Sequence, residues 1–212
     1  MFTGLIETTG KITDVVPQNN YVRLTITPHK KFEDLKDGES IAVSGPCLTV
    51  VHHNGETFTA EVSQETLRLT TLQHARPGQE VNLERAVRAD TRLGGHFVNG
   101  HIDAILKILE VTRIGLSRQL MIALPNEYAQ LIVDKGSVAI DGVSLTVSAL
   151  GVDHFVVNLI PETQVRTTLE KLHHGELVNV EFDIIGKYIL RFLENRKPAS
   201  SLTEESLRRM GY

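Results

Sequence analysis

Cys47 and Ser144 occupy matched positions in two similar strings, SGPCLTV from Ser44 and DGVSLTV from Asp141. Both side chains are hydrogen-bond donors and potential nucleophiles. A small apolar filler is the plainer reading of Cys47, but its serine twin speaks against that. His101 offers an imidazole, the side chain best suited to shuttle a proton near neutrality, with a structural histidine as the alternative. Around these stand polar pairs at one offset: Ser40 with Ser137, Thr49 with Thr146, Glu65 with Glu162, Thr66 with Thr163, and Thr70-Thr71 with Thr167-Thr168. Threonine is a good strand residue and glutamate solvates a loop, so any single pair could be structural. As a clustered set they give each copy the same hydrogen-bonding groups, which points to two sites for one ligand. His96 and His101 lack a third ligand at a recognisable spacing, which argues against a metal site. His52-His53 and His173-His174 are expected to be exposed loop residues.

What positions these groups is a duplication. SIAVSGPCLTV at 40–50 lies over SVAIDGVSLTV at 137–147, an offset of 97 residues. The register continues through FTAEVSQETLRLTTL from Phe58 over FVVNLIPETQVRTTL from Phe155, and GQEVNLE from Gly78 over GELVNVE from Gly175. FTGLIE at Phe2 resembles VNGHID at Val98, one residue out of step. So long a period means a duplicated domain and not a solenoid. Each copy reads as β structure. Val22, Leu24 and Ile26, then Phe58, Ala60 and Val62, then Phe155, Val157 and Leu159 alternate with polar neighbours. Val178, Val180 and Phe182 alternate with Asn179, Glu181 and Asp183, the latter three read as a polar face. Turns such as His53-Asn54-Gly55 favour small antiparallel barrels, which leave no open edge. Helical turns are expected between Leu67 and Leu72 and between Val165 and Leu169, with a polar linker from Ala86 to Gly94. The domains are then 1–90, 95–184 and a helical segment 185–212. In the last, Ile185, Tyr188, Ile189 and Phe192 form one apolar stripe, and Ser201 with Glu204 suggests a capping box.

Composition excludes several classes. A net charge of -4 with no basic face argues against nucleic acid, and a lone cysteine rules out an intrachain disulfide. No apolar run is long enough to span a bilayer, and the first residues lack a signal-peptide pattern. A cytoplasmic enzyme or binding protein is expected.

MFTGLIE, GPCLTV, ETLRLTTL, GGHFVNGHID, KGSVAIDGVSLTV and NLIPET with RTTL, in this order from Met1 to about Asp183, together resemble the riboflavin synthase family. The resemblance implies an all-β fold, two tandem Greek-key antiparallel β-barrels with a C-terminal α-helix that makes a homotrimer, and no metal or organic cofactor. It implies dismutation of two 6,7-dimethyl-8-ribityllumazine molecules to riboflavin and 5-amino-6-(ribitylamino)uracil, and leaves open an association with lumazine synthase. Two similar pockets holding two like molecules in register could supply most of the acceleration. Carried over by position, first-barrel ligand contacts fall at Gly4, Leu5, Ile6, Cys47, Leu48, Thr49, Glu61, Val62, Ser63, Gln64, Glu65 and Thr66. Second-barrel contacts fall at Gly100, His101, Ile102, Ser144, Leu145, Thr146, Ile160, Pro161, Glu162, Thr163, Gln164 and Val165, with Lys135 reaching in from a neighbouring subunit. Ser40, Cys47, His101, Ser144 and Asp183 are the candidates for catalysis or polarisation; plain solvation is the alternative for Asp183. One departure is Pro46, where a small or β-branched residue is expected; it removes a backbone N–H beside the ligand loop. The rivals are a non-catalytic lumazine- or flavin-binding protein of the same fold and a flavin-binding oxidoreductase barrel. The intact second-copy polar groups oppose the first, and the absence of a Gly-rich phosphate loop opposes the second.

Overall fold

A computed structural model describes residues 1–195 and Arg208. The Ser201 and Glu204 capping box lies outside the described residues.

The first barrel contains β1 (Thr8–Pro17), β2 (Tyr21–Pro28), β3 (Ser40–Val43), β4 (Cys47–His53), β5 (Phe58–Ser63) and β6 (Glu80–Arg85). The second repeats it as β7 (Ala104–Ile114), β8 (Ser117–Ala123), β9 (Ser137–Ile140), β10 (Val143–Leu150), β11 (His154–Leu159) and β12 (Leu177–Phe182). Both sheets close with the same strand order, β1-β2-β5-β4-β3-β6 and its equivalent. Within each, three successive strands are followed by one that returns beside the first of them, the Greek-key connection. Bulges recur at equivalent points, between Ile12 and Asp14 and between Ile108 and Glu110, and again between Val50 and His52 and between Val147 and Ala149. The stronger local twist at a bulge is what lets so few strands curl shut. Alternate residues fill the interiors: Leu24, Ile26, Phe58, Ala60 and Val62 in one, Leu120, Ile122, Phe155, Val157 and Leu159 in the other.

Asn179 and Glu181 correct the expectation of a solvated polar face, since both are fully buried, as are their counterparts Asn82 and Glu84. The outer faces of β6 and β12 are covered because the barrels pack against each other there. Across that seam the Asn82 side chain donates to the Asp141 carbonyl (3.0 Å) and accepts from the Thr168 amide (2.8 Å). Asn179 reciprocates, donating to the Ser44 carbonyl (2.8 Å) and accepting from the Thr71 amide (2.8 Å). The matched threonines are therefore partly explained by the seam. Phe2 and Val98 pair as an antiparallel bridge and bury with Ala42 and Ala139, each residue packing beside its own repeat equivalent. An approximate two-fold axis thus relates the halves.

The helices begin earlier than expected. α1 is Gln64–Leu69, N-capped by the Ser63 hydroxyl, and α2 is Pro161–Arg166, with Pro161 in the first turn, where its missing N–H costs nothing. Short 3-10 turns follow at Thr71–His74 and Thr168–Lys171. α3 (Ile184–Glu194) opens the helical segment expected there and is N-capped by Asp183, whose carboxylate accepts from the Ile185 amide (3.0 Å). Its stripe lies open in the single chain: Tyr188 is 73% exposed and Phe192 67%.

Candidate functional site

The segment before each barrel is shared between the two. In the first half, the buried Glu84 carboxylate on β6 accepts from the Thr3 amide (2.6 Å), the Thr3 hydroxyl (2.7 Å) and the Gly4 amide (2.9 Å). The Gly4 carbonyl then accepts from the Ser144 amide on the other barrel (2.8 Å). In the second half, Glu181 on β12 accepts from the amides of Asn99 (2.7 Å), Gly100 (2.8 Å) and His101 (3.1 Å), while the Gly100 carbonyl accepts from the Cys47 amide (2.9 Å). Gly4 and Gly100 have φ of +76° and +78°, and a Cβ on either would sit 2.5 Å from the Cβ of Ser144 or Cys47. Only glycine allows so close an approach. Burial pushes both glutamate carboxyls up from their usual range, against the opposing pull of the N–H donors.

This geometry corrects the grouping by barrel. Gly4, Leu5 and Ile6 belong with Ser144, and Ile6 packs on the second core. Gly100, His101 and Ile102 belong with Cys47. The reason is the crossing just described, which no alignment of one copy on the other can display. His101 and Ser144 therefore lie at different sites.

The first-barrel site is a cavity of about 370 Å³ whose wall includes Pro46, Cys47, Glu65, Thr66, His101 and Ile102. The strand register places Thr49 opposite Glu61 on the same outer face. Ser63 and Gln64 are exposed beside it at the start of α1. Leu48 and Val62 point into the barrel core, so only their backbones could meet a ligand there; Leu145 does the same in the second barrel. Ser40 is not drawn into this cavity. It lines a separate cleft of about 470 Å³ with Leu5, Glu84, Arg85 and the linker from Ala86 to Arg92. That cleft is the larger, but of the polar residues that both copies kept it gathers only Ser40 and Glu84, and Glu84 is already taken up by Thr3 and Gly4.

On the second barrel Ser144 lies against Gly4, while Thr146, Ile160, Pro161, Glu162 and Val165 are exposed. Thr163 and Gln164 are half-buried, and the Gln164 amide donates to the carbonyls of Leu116 and Leu159 (2.9 Å each). Lys135 is largely exposed, with its amine on the Ser148 carbonyl (2.5 Å) and near Asp134 (3.4 Å). The roles of three buried residues were not anticipated from the sequence. Glu84 and Glu181 were visible as a matched pair, but their burial was not. His96 is buried with Nδ1 2.7 Å from the Ser144 hydroxyl.

Two closed barrels with paired outer-face sites define a tandem ligand-binding protein. The lumazine binding domain family matches twice, over residues 3–86 and 99–183. The chain is similar over its full length to riboflavin synthases from Actinobacillus pleuropneumoniae (41% identity, 100% of each chain) and Bacillus subtilis (39%, 100% of each). It is also similar to that of Mycobacterium tuberculosis (43% identity, 92% of this chain and 99% of the relative). Among solved structures, LumP complexed with riboflavin is similar at a TM-score of 0.78 and 25% identity, over 86% of this chain and 99% of that one. LumP complexed with 6,7-dimethyl-8-(1'-D-ribityl) lumazine is similar at a TM-score of 0.75. The chain belongs to the riboflavin synthase family.

Proposed function

We propose that this chain dismutates two molecules of 6,7-dimethyl-8-ribityllumazine into riboflavin and 5-amino-6-(ribitylamino)uracil. The observation that carries this reading is that one chain builds the same kind of site twice, with Cys47 and Ser144 at equivalent positions. A reaction between two identical molecules calls for two like pockets that hold them in register, and that alone can supply a large share of the acceleration. One lumazine lies along Cys47, Thr49, the Glu61–Thr66 stretch and Gly100–Ile102. The other lies along Gly4–Ile6, Ser144–Thr146 and the Ile160–Val165 stretch. Cys47 and His101 act on the first molecule, and Ser144 and Asp183 on the second. The family's synthases at 39–43% identity favour catalysis over the binding role of LumP at 25%.

The working pair of sites forms between chains of a cytoplasmic homotrimer, with Lys135 contributed by the neighbour. What supports this is the open apolar stripe of α3, too short to be stable unaided and too apolar to be left in water. Deleting residues from Gly186 onward should give monomers that still bind lumazine but turn over at least ~10³-fold more slowly, read by sedimentation and kinetics. The reaction itself is tested by anaerobic incubation of purified protein with lumazine alone. Two lumazines should vanish for each riboflavin formed; a need for oxygen or nicotinamide would refute dismutation.

A further inference from the structure

His96 belongs to no matched pair of the repeat, yet it contacts one candidate residue and feels the charge of another. We propose that His96 is the positioning residue of the second-barrel site, holding the Ser144 hydroxyl and accepting its proton when Ser144 deprotonates bound lumazine. This rests on the dismutation reading above.

The placement of the ring is specific. The His96 amide donates to the Thr3 carbonyl (3.2 Å), while the ring nitrogen Nδ1 lies 2.7 Å from Ser144 Oγ. Ser144 is itself held from its other side, its amide donating to the Gly4 carbonyl (2.8 Å). The approach depends on Gly95, where a Cβ would stand 2.0 Å from the Thr3 carbonyl oxygen and 2.9 Å from Ser144 Oγ. Any side chain there would drive the histidine away from the serine. The imidazole is 8% exposed, and its Nε2 is buried without a hydrogen-bond partner among the described residues. A buried ring nitrogen left without a partner is destabilising, and such groups in native folds call for an explanation by use. Burial holds His96 below the ordinary imidazole range, so the resting ring is neutral; the carboxylate of Asp183 opposes this and favours the imidazolium. A base that rests neutral beside a hydroxyl, with an acid near enough to steady its charged form, suits proton relay.

The step balances. With the resting proton on Nε2, the Nδ1 lone pair accepts the Ser144 hydroxyl. Ser144 Oγ takes a proton from the acidic ring methyl of the bound lumazine as its own proton passes to Nδ1. One C–H and one O–H bond break, and one O–H and one N–H bond form. The electron pair of the C–H bond stays on the substrate and spreads into its ring, so the carbanion and the imidazolium appear together.

Two measurements on the intact chain decide it. Nitrogen-15 NMR of histidine-labelled wild-type protein should show His96 neutral at pH 7 with Nδ1 unprotonated; a protonated Nδ1 would overturn the assignment, and this readout needs no variant to fold. In steady-state kinetics, His96→Asn keeps a hydrogen-bonding group near the Nδ1 position but no basic nitrogen. It should lower kcat about 10²-fold with KM changed less than about threefold. Added to Ser144→Ala it should cost nothing more, because the two act as one unit. A His96→Asn variant with wild-type kcat, or a double variant whose loss is the product of the single losses, removes this role while the dismutation reading stands. A wild-type chain that forms no riboflavin from lumazine removes both.

Discussion

The first-barrel and second-barrel sites share a backbone plan and differ in their charge. On the outer face of the first, Arg23 donates to Glu61 (2.8 Å) and to the Tyr21 hydroxyl (3.3 Å). The same places in the second hold Gln119, donating to Asn158 (3.2 Å). A cysteine faces a largely exposed His101 in one; a serine is hydrogen-bonded to the buried His96 in the other. At the turn behind each, Ser44 is matched by Asp141, both in the left-handed region with φ of 48° and 45°. Duplication supplied two equal frames, and the substitutions have put an ion pair on the strand face of one and a neutral amide pair on that of the other. Two identical substrates meeting different surroundings can be assigned different roles, which is what a dismutation requires.

The comparison breaks most completely when the halves are separated. A fragment of residues 1–90 keeps Cys47 but lacks the Gly100–Ile102 segment that seats on it. It should make no riboflavin. Its own Gly4 segment, left without Ser144, should dock on the Cys47 of a second fragment and give a dimer that still binds lumazine. Sedimentation and ligand fluorescence check this, and a monomeric fragment with turnover would show that the sites are self-contained.

A smaller effect separates Ser44 from Asp141. Burial raises the Asp141 carboxyl to about 7, against an accepted hydrogen bond from the Asn179 amide (2.8 Å). Because the folded value lies above the unfolded 3.8, its contribution to stability is fully present below pH 3.8 and is lost as pH rises through about 7. The loss in that window is at most about 1.4 kcal/mol per pH unit. Asp141→Asn keeps the acceptor and removes the titration. Thermal melts from pH 5 to 9 should therefore show the variant gaining on the wild type as pH rises; parallel curves would place the carboxyl in the ordinary range.

The smallest effect concerns the ionic face. Arg23→Gln, copying the second barrel, should weaken lumazine binding at the first site by less than ~5-fold and reduce its dependence on salt. Titrations at low and high ionic strength measure both, and an unchanged salt response would mean that the pair serves the strand alone.

The barrels were legible because period-two alternation is a direct imprint of a sheet with one wet face, as Phe58, Ala60 and Val62 show. The same rule misjudged Asn179 and Glu181, since alternation tells polar from apolar and not wet from dry. Their burial depends on a second barrel arriving on the outer face, which is a tertiary event. Thr49, Glu65 and Thr66 with their twins were readable as what both copies kept, and the rest of the candidate ligand set came with the family resemblance. A comparison of copies is blind to anything in one alone, so it gave His96 no partner; carrying family contacts over by position along the chain is blind to exchange between halves, so it placed Gly4 and Gly100 on the wrong barrels. The run Gly94-Gly95-His96 carried the available hint, two glycines before a ligand-type residue marking a close backbone approach.

The crossed segments also set an order of events during synthesis. The last strand of the first barrel ends at Arg85, but its cavity is walled by residues 100–102, which leave the ribosome later. At roughly 5–20 residues per second the delay is on the order of one to three seconds. Over that interval the nascent first barrel has its frame without its binding site. The second barrel meets the opposite situation: Gly4 through Ile6 have been waiting since translation began, so its site can close as soon as its own strands do. A domain built this way withholds ligand binding from its first half until the second is under way.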